Sequence, residues 1–189
     1  MVIKEERENV LDILTKTEEA LGRNDVTILN ELSNKIIHTA STVQDTDSIL
    51  LAVIVYSLSK IIERRQYHQE KGWDKFYFKI TEEIKRAKNL LEKNDQQQFL
   101  ECLEKIRNSI TSVSGDLRKN IEDVFRKAEI NKASKIYEHG ISLETTAKLL
   151  GITIWELAGY AGQKGELESK FTITENVKTR IKQTMEMFE

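Results

Sequence analysis

"SILLAVIVYSLS", Ser48 to Ser59, is the longest weakly polar run in the chain. How it is read decides the fold. Its twelve residues are too few to cross a bilayer, which takes about twenty. It reads as a helix buried on most of its sides. Ile54, Leu58 and Ile61 recur in it at a spacing of three and four, so they are expected in the core. "TVQDTDS" precedes it, where Asp45 or Asp47 can cap the helix start. "KIIERR" ends it, with basic residues where the helix dipole favours them.

The same helical period extends to both sides. Toward the N-terminus, Val10, Ile13, Leu14, Thr17 and Leu21 form one stripe. Leu29, Leu32, Ile36 and Ile37 form another, after a break at "GRNDV" where Gly22 is the expected stop and Asp25 the expected cap. Toward the C-terminus, Tyr77, Ile80, Ile84, Ala87 and Leu91 are followed by Phe99, Leu103, Ile106, Ile110 and Val113. The short "KNDQ" link makes these two an antiparallel hairpin. Leu117, Ile121, Val124 and Ala128 continue the seam along a sixth helix. The chain of 189 residues holds no proline, and five of its eight glycines fall between Gly140 and Gly165. Breakers are therefore scarce until late in the sequence. No β period, low-complexity linker or internal repeat is legible.

Composition narrows the function classes. Charged residues make up 32% and the net charge is −2. The surface is therefore highly charged but balanced, with no whole-molecule pull on nucleic acid or anionic lipid. Cys102 is the only cysteine. It lies in a helical pattern and reads as a small buried hydrophobe. His38, His68 and His139 show no metal-ligand spacing. His38 with Ser41 and Asp45 reads as helix capping rather than a site. Arg64 and His68 miss the Arg-to-His spacing of small helical ribonucleases of the HEPN type. No catalytic residue, metal or cofactor is expected, and no enzymatic activity. "MVIKEERENV" lacks the apolar stretch of a signal peptide, so the expected location is cytoplasmic, with no membrane contact.

One stretch carries more specific information. "ISLETTAKLLGITIWELAGYAGQKG", Ile141 to Gly165, has the outline of a helix-turn-helix. Ala147 stands where the two helices would touch. Gly151, four residues on, stands where the turn needs positive φ. Ser142 can cap the first helix, and Thr153 with Glu156 forms a capping box for the second. Leu150, Ile152, Ile154 and Leu157 would supply the small core. Yet "TIWELAGYAGQ" contains no Lys or Arg, so arginine-to-guanine reading is closed to it. Residues 121–189 carry ten basic and eleven acidic side chains. Any phosphate contacts would fall to Lys132, Lys135, Lys148 and Lys164, with Thr153, Trp155 and Gln163 facing the bases. Such binding would be weak for one copy, so a homodimer is expected. Trp155 fits a protein interface almost as well.

With its preceding helix, "ASKIYEHGISLETTAKLLGITIWELAGYAGQKG" resembles the small prokaryotic helix-turn-helix antitoxins that accompany PIN-domain ribonuclease toxins. Ala133, Tyr137, Gly140, Ser142, Ala147, Leu150, Gly151, Ile152, Trp155, Glu156, Gly162 and Gly165 carry the resemblance. It implies binding of double-stranded operator DNA and neutralisation of a partner ribonuclease. In "TITENVKTRIKQTMEMFE", Val177, Ile181, Met185 and Phe188 share one helical face. They are the expected anchors for that partner. The expected organisation is all-α: a helical bundle over residues 1–120, a helix-turn-helix module over 121–165, and a linker with a C-terminal amphipathic helix over 166–189. Two functions follow from it. One is an antitoxin-like DNA-binding regulator. The other is a helical adaptor that binds protein and not DNA.

Overall fold

The computed structural model describes residues 4–43, 46–111, 116–138, 141–150, 152 and 153, and 154–163. The fold is all-α. Among the described residues there are eight α-helices and one 3₁₀ turn: α1 Lys4–Arg23, α2 Val26–Val43, α3 Thr46–Glu63, the turn Arg65–Gln69, α4 Trp73–Glu92, α5 Gln96–Thr111, α6 Asp116–Glu138, α7 Leu143–Leu150 and α8 Ile154–Gln163. Val113, Gly151, His139–Gly140 and the anchors Val177, Ile181, Met185 and Phe188 lie outside the described residues.

The apolar run is the centre of the bundle. Ile49, Leu51, Ala52, Ile54, Val55 and Ile61 are fully buried and Leu58 nearly so. α3 reaches this burial by packing on α2, α5, α6 and α7. At its closest neighbour, the Ser33 hydroxyl of α2 donates to the Ala52 carbonyl at 2.8 Å. Two small side chains there let the helix backbones approach. α3 ends at Glu63, short of the two arginines. The chain then makes the 3₁₀ turn, which buries Tyr67. Gly72 starts α4 at φ 100°, in the left-handed region where a side chain would be strained.

The six long helices are two copies of one three-helix unit, α1–α2–α3 and α4–α5–α6. Equivalent positions are 70 residues apart, the separation of the paired Glu18 and Lys88. The turns match closely. Asn24 and Asn94 take positive φ, 51° and 60°. Each donates its N–H to the residue three back, Leu21 or Leu91, at 3.0 Å. Asp25 and Asp95 cap α2 and α5, accepting from the N–H groups of Ile28 and Gln98 at 3.0 and 3.1 Å. The helix stop is thus Asn24, and the expected stop at Gly22 is corrected. An asparagine side chain tolerates the left-handed region and closes the turn two residues later.

Packing also repeats under exchange of the two units. α1 lies against α4, α3 against α6, and α2 touches α6 as α5 touches α3. Arg7 of α1 reaches the second turn at Asn94, 2.9 Å away. Tyr77 of α4 donates its hydroxyl to Leu21 in the first turn. The arrangement is that of a two-fold-related pair, with Glu18 and Lys88 meeting at equivalent positions. This corrects the reading of no internal repeat: the pattern of burial repeats while most of the residues do not. The units also differ, most of all in the third helix, where buried Ile49 and Val53 correspond to exposed Lys119 and Asp123. Where Ser33 and Ala52 close α2 onto α3, the second unit has Leu103 and Glu122, and α5 and α6 pack less closely.

α6 runs unbroken across the expected boundary at residues 120 and 121. Leu117, Ile121, Val124, Phe125 and Ala128 are buried in the bundle. Further along the same helix, α6 receives α7 and α8, and α7 also touches α3. Bundle and module therefore share a helix.

Candidate interaction face

Part of the local geometry expected of the module is present among the described residues, while the φ of Gly151 lies outside them. Ser142 caps α7, accepting from the Thr145 N–H at 3.1 Å through its hydroxyl. Its carbonyl accepts from the Thr146 N–H at 2.9 Å. The Ile152 N–H donates to the Ala147 carbonyl at 3.0 Å and closes the turn. The Leu157 N–H does the same to the Thr153 carbonyl at 3.2 Å and opens α8. Ile141, Ala147, Leu150, Ile152 and Leu157 are buried between the two short helices and the bundle.

Ile154 departs from expectation. It is 42% exposed and is not part of the small core. One residue on, Trp155 is 86% exposed. With exposed Thr153 they cover the start of α8, a helix that carries no Lys or Arg. The face is apolar where an ordinary recognition helix is polar or basic. A tryptophan that far out of the fold leaves most of its large apolar area in water, a cost that contact with another molecule would recover.

Two of the expected phosphate contacts, Lys132 and Lys135, are engaged with α2 instead. Lys148, on α7, is exposed. The side chains of Gln163 and Lys164 lie outside the described residues. Lys135 is half-buried and donates to Asn34 of α2 at 2.9 Å. Lys132 is a correction: it is fully buried. Its ammonium donates to the same Asn34 oxygen at 3.0 Å and sits 4.1 Å from the centre of the Tyr56 ring. Burial, then the nearby charges of Lys135 and Lys60, push its pKa down to about 7. An ammonium enclosed there cannot reach a duplex.

Other polar clusters have structural roles. The Cys102 thiol faces the Glu83 carbonyl at 3.4 Å and carboxylate at 3.3 Å. Burial first and Glu83 second push it up to about 12. It is protonated and unreactive at neutral pH. Arg64 donates to the Tyr67 hydroxyl at 3.4 Å, and the His68 ring stacks on Trp73 at 4.3 Å. The two side chains of the ribonuclease-like pair are thus each engaged with an aromatic neighbour. His38 is exposed on α2. Between α5 and α6 lies an open groove of about 520 Å³, lined by Arg107, Lys119, Glu122, Asp123, Arg126 and Glu129 among others. Glu129 at its floor pairs with Arg107 at 3.2 Å. Burial raises its pKa, and Arg107 and Arg126 pull the other way. Three cations and three anions line the groove, so it presents no net charge to a ligand. Among the described residues no group of His, Cys, Asp or Glu is placed to hold a metal ion. No described helix is long and apolar enough to cross a membrane.

Comparison with protein-family models, with curated proteins and with solved structures returned no match, so the functional reading rests on the chain's own geometry.

Proposed function

We propose that this chain is a helical adaptor that binds a protein partner through the start of α8. One observation carries the reading: Trp155, 86% exposed beside 42% exposed Ile154, on a helix without a single cation. Aromatic side chains are enriched and charged ones depleted in the cores of protein interfaces. Truncating such an anchor typically costs a complex about 2 kcal/mol or more. The shared helix α6 supports the reading, because it fixes the face rigidly to the bundle. A rigid face loses little entropy on docking.

A second reading has its own support. The Ser142 cap, the Ile152-to-Ala147 bond and buried Ala147 support a helix-turn-helix reading of α7 and α8. In the antitoxin-like reading this module meets double-stranded DNA as a dimer, and the C-terminal segment binds a PIN-domain ribonuclease. Duplex binding would then have to come from Lys148, Lys164 and a second copy, because Lys132 and Lys135 are turned to Asn34.

The experiment compares untagged wild-type protein with Trp155→Ala. Partners retained on purification are identified by mass spectrometry, and duplex binding is titrated at low salt. The adaptor reading expects a protein partner lost on Trp155→Ala, and no duplex binding by either form. Salt-sensitive duplex binding by the wild type would overturn it in favour of the antitoxin-like regulator.

A further inference from the structure

Three lysines lie close together where α2, α3 and α6 meet. Lys132 and Lys135, one turn apart on α6, both donate to the Oδ1 atom of Asn34, at 3.0 and 2.9 Å. Their ammonium groups are therefore no farther apart than two hydrogen bonds allow. Lys60 of α3 flanks them, 5.6 Å from the centre of the Tyr56 ring that Lys132 overlies at 4.1 Å. The only carboxylate paired among these groups is Glu63, which holds Lys60 at 2.8 Å and is half exposed. Among the described residues no carboxylate pairs with Lys132 or Lys135.

This is a poor arrangement for an empty protein surface. One neutral amide oxygen and the face of the Tyr56 ring offset two ammonium groups only in part, and the charges repel more strongly as water is excluded. Lys132 is completely enclosed, so solvent does not relieve it. The depressed ionisation of Lys132, partly caused by Lys135 and Lys60, is the same repulsion seen from another side. What is missing is an anion. The cluster is open where one would enter: Asn34 is exposed, and Lys135 and Lys60 are half-buried.

We propose that Asn34, Lys60 and Lys135 form a binding site for a phosphate-type oxyanion, with the enclosed Lys132 ammonium behind Asn34 adding positive potential without touching the anion. A tetrahedral dianion has oxygens enough to bridge separate ammonium groups. The Asn34 amide is free to turn its NH₂ toward it. Point-charge donors on flexible stems suit phosphate. The site joins α2, α3 and α6, so an occupant ties both three-helix units together. The inference is independent of the Trp155 face.

The test is thermal melting of the full chain at neutral pH, in inorganic phosphate and in sodium chloride of equal ionic strength. Phosphate at about 100-fold its dissociation constant should raise Tm by roughly 5–10 °C over chloride. Asn34→Asp puts a carboxylate between the Lys132 and Lys135 ammonium groups, so it neutralises the positive charge that would draw the anion. That variant should melt higher than wild type in chloride and lose its response to phosphate. The double variant Lys60→Ala with Lys135→Ala, which keeps Lys132, should also lose the response. A single-stranded oligonucleotide distinguishes the sources. A Tm rise at far lower concentration than inorganic phosphate identifies a nucleic-acid phosphate, and no such gain identifies a free one. Equal melting of the wild type in phosphate and chloride overturns the site. So does an undiminished phosphate response in Asn34→Asp.

Discussion

Lys132→Met removes a charge from the core and keeps the length of the side chain. Burial, and then the charges of Lys135 and Lys60, push the Lys132 ammonium down to a pKa of about 7 in the folded state, against the ordinary lysine value of 10.5. Its surroundings are the Tyr56 ring, Lys60 and Glu63 of α3, Asn34 of α2 and Lys135 of α6. The sign follows from proton counting. Between these two pKa values the unfolded chain binds more protons at this position than the folded one does. Stability therefore rises with pH across that window, and below it the dependence vanishes. From pH 7 to pH 9 the integrated gain is about 2 kcal/mol, since each unit of difference is worth about 1.4 kcal/mol. Methionine does not titrate. It should make the protein more stable than wild type at pH 7 and remove this part of the pH dependence. The assay is urea denaturation of both proteins in phosphate-free buffer at pH 7 and pH 9. Subtracting the two gains cancels the titrating groups that do not interact with Lys132. A wild-type gain matched by the variant to within about 0.5 kcal/mol, the usual margin for independent sites, would refute the reasoning.

Leu58→Ala, at a core position 2% exposed, should lower unfolding free energy by roughly 2–5 kcal/mol in denaturant titration. Asn24→Ala and Asn94→Ala each force alanine into positive φ; each should cost about 1–2 kcal/mol, and the two costs should be similar because the turns are equivalent. Ser142→Ala removes the cap of α7; it should cost about 1 kcal/mol, and hydrogen exchange should show the loss in α7 before the bundle.

Much of the fold is legible because helices announce themselves by spacing. Every described residue of the stripes at Val10–Leu21 and Leu29–Ile37 is buried, as periodicity requires. The turns were half legible. Asp25 caps α2 as expected, but the eye goes to Gly22 as the stop when Asn24 does the work. The two-fold repeat was not legible. Its units share few residues beyond the Asn-Asp turn, and what recurs is which positions face inward. That pattern becomes visible only once both halves are folded. Lys132 shows two signals in conflict. It stands four residues after Ala128, the next place on the buried seam, yet a lysine argues for solvent. Spacing decided its position and left the charge inside. Ile154 is the reverse case. Its apolar side chain suggested core, while its place at the first turn of α8 turned it outward beside Trp155.

The most direct measurement places a photoreactive benzophenone side chain at position 155 in the cell, with position 78 as control. Phe78 is also exposed, at 68%, but stands on α4, apart from the module. The account predicts that position 155 crosslinks to one protein species and that position 78 does not capture it. Crosslinks from position 155 to DNA alone, or the same protein caught equally from both positions, would contradict it.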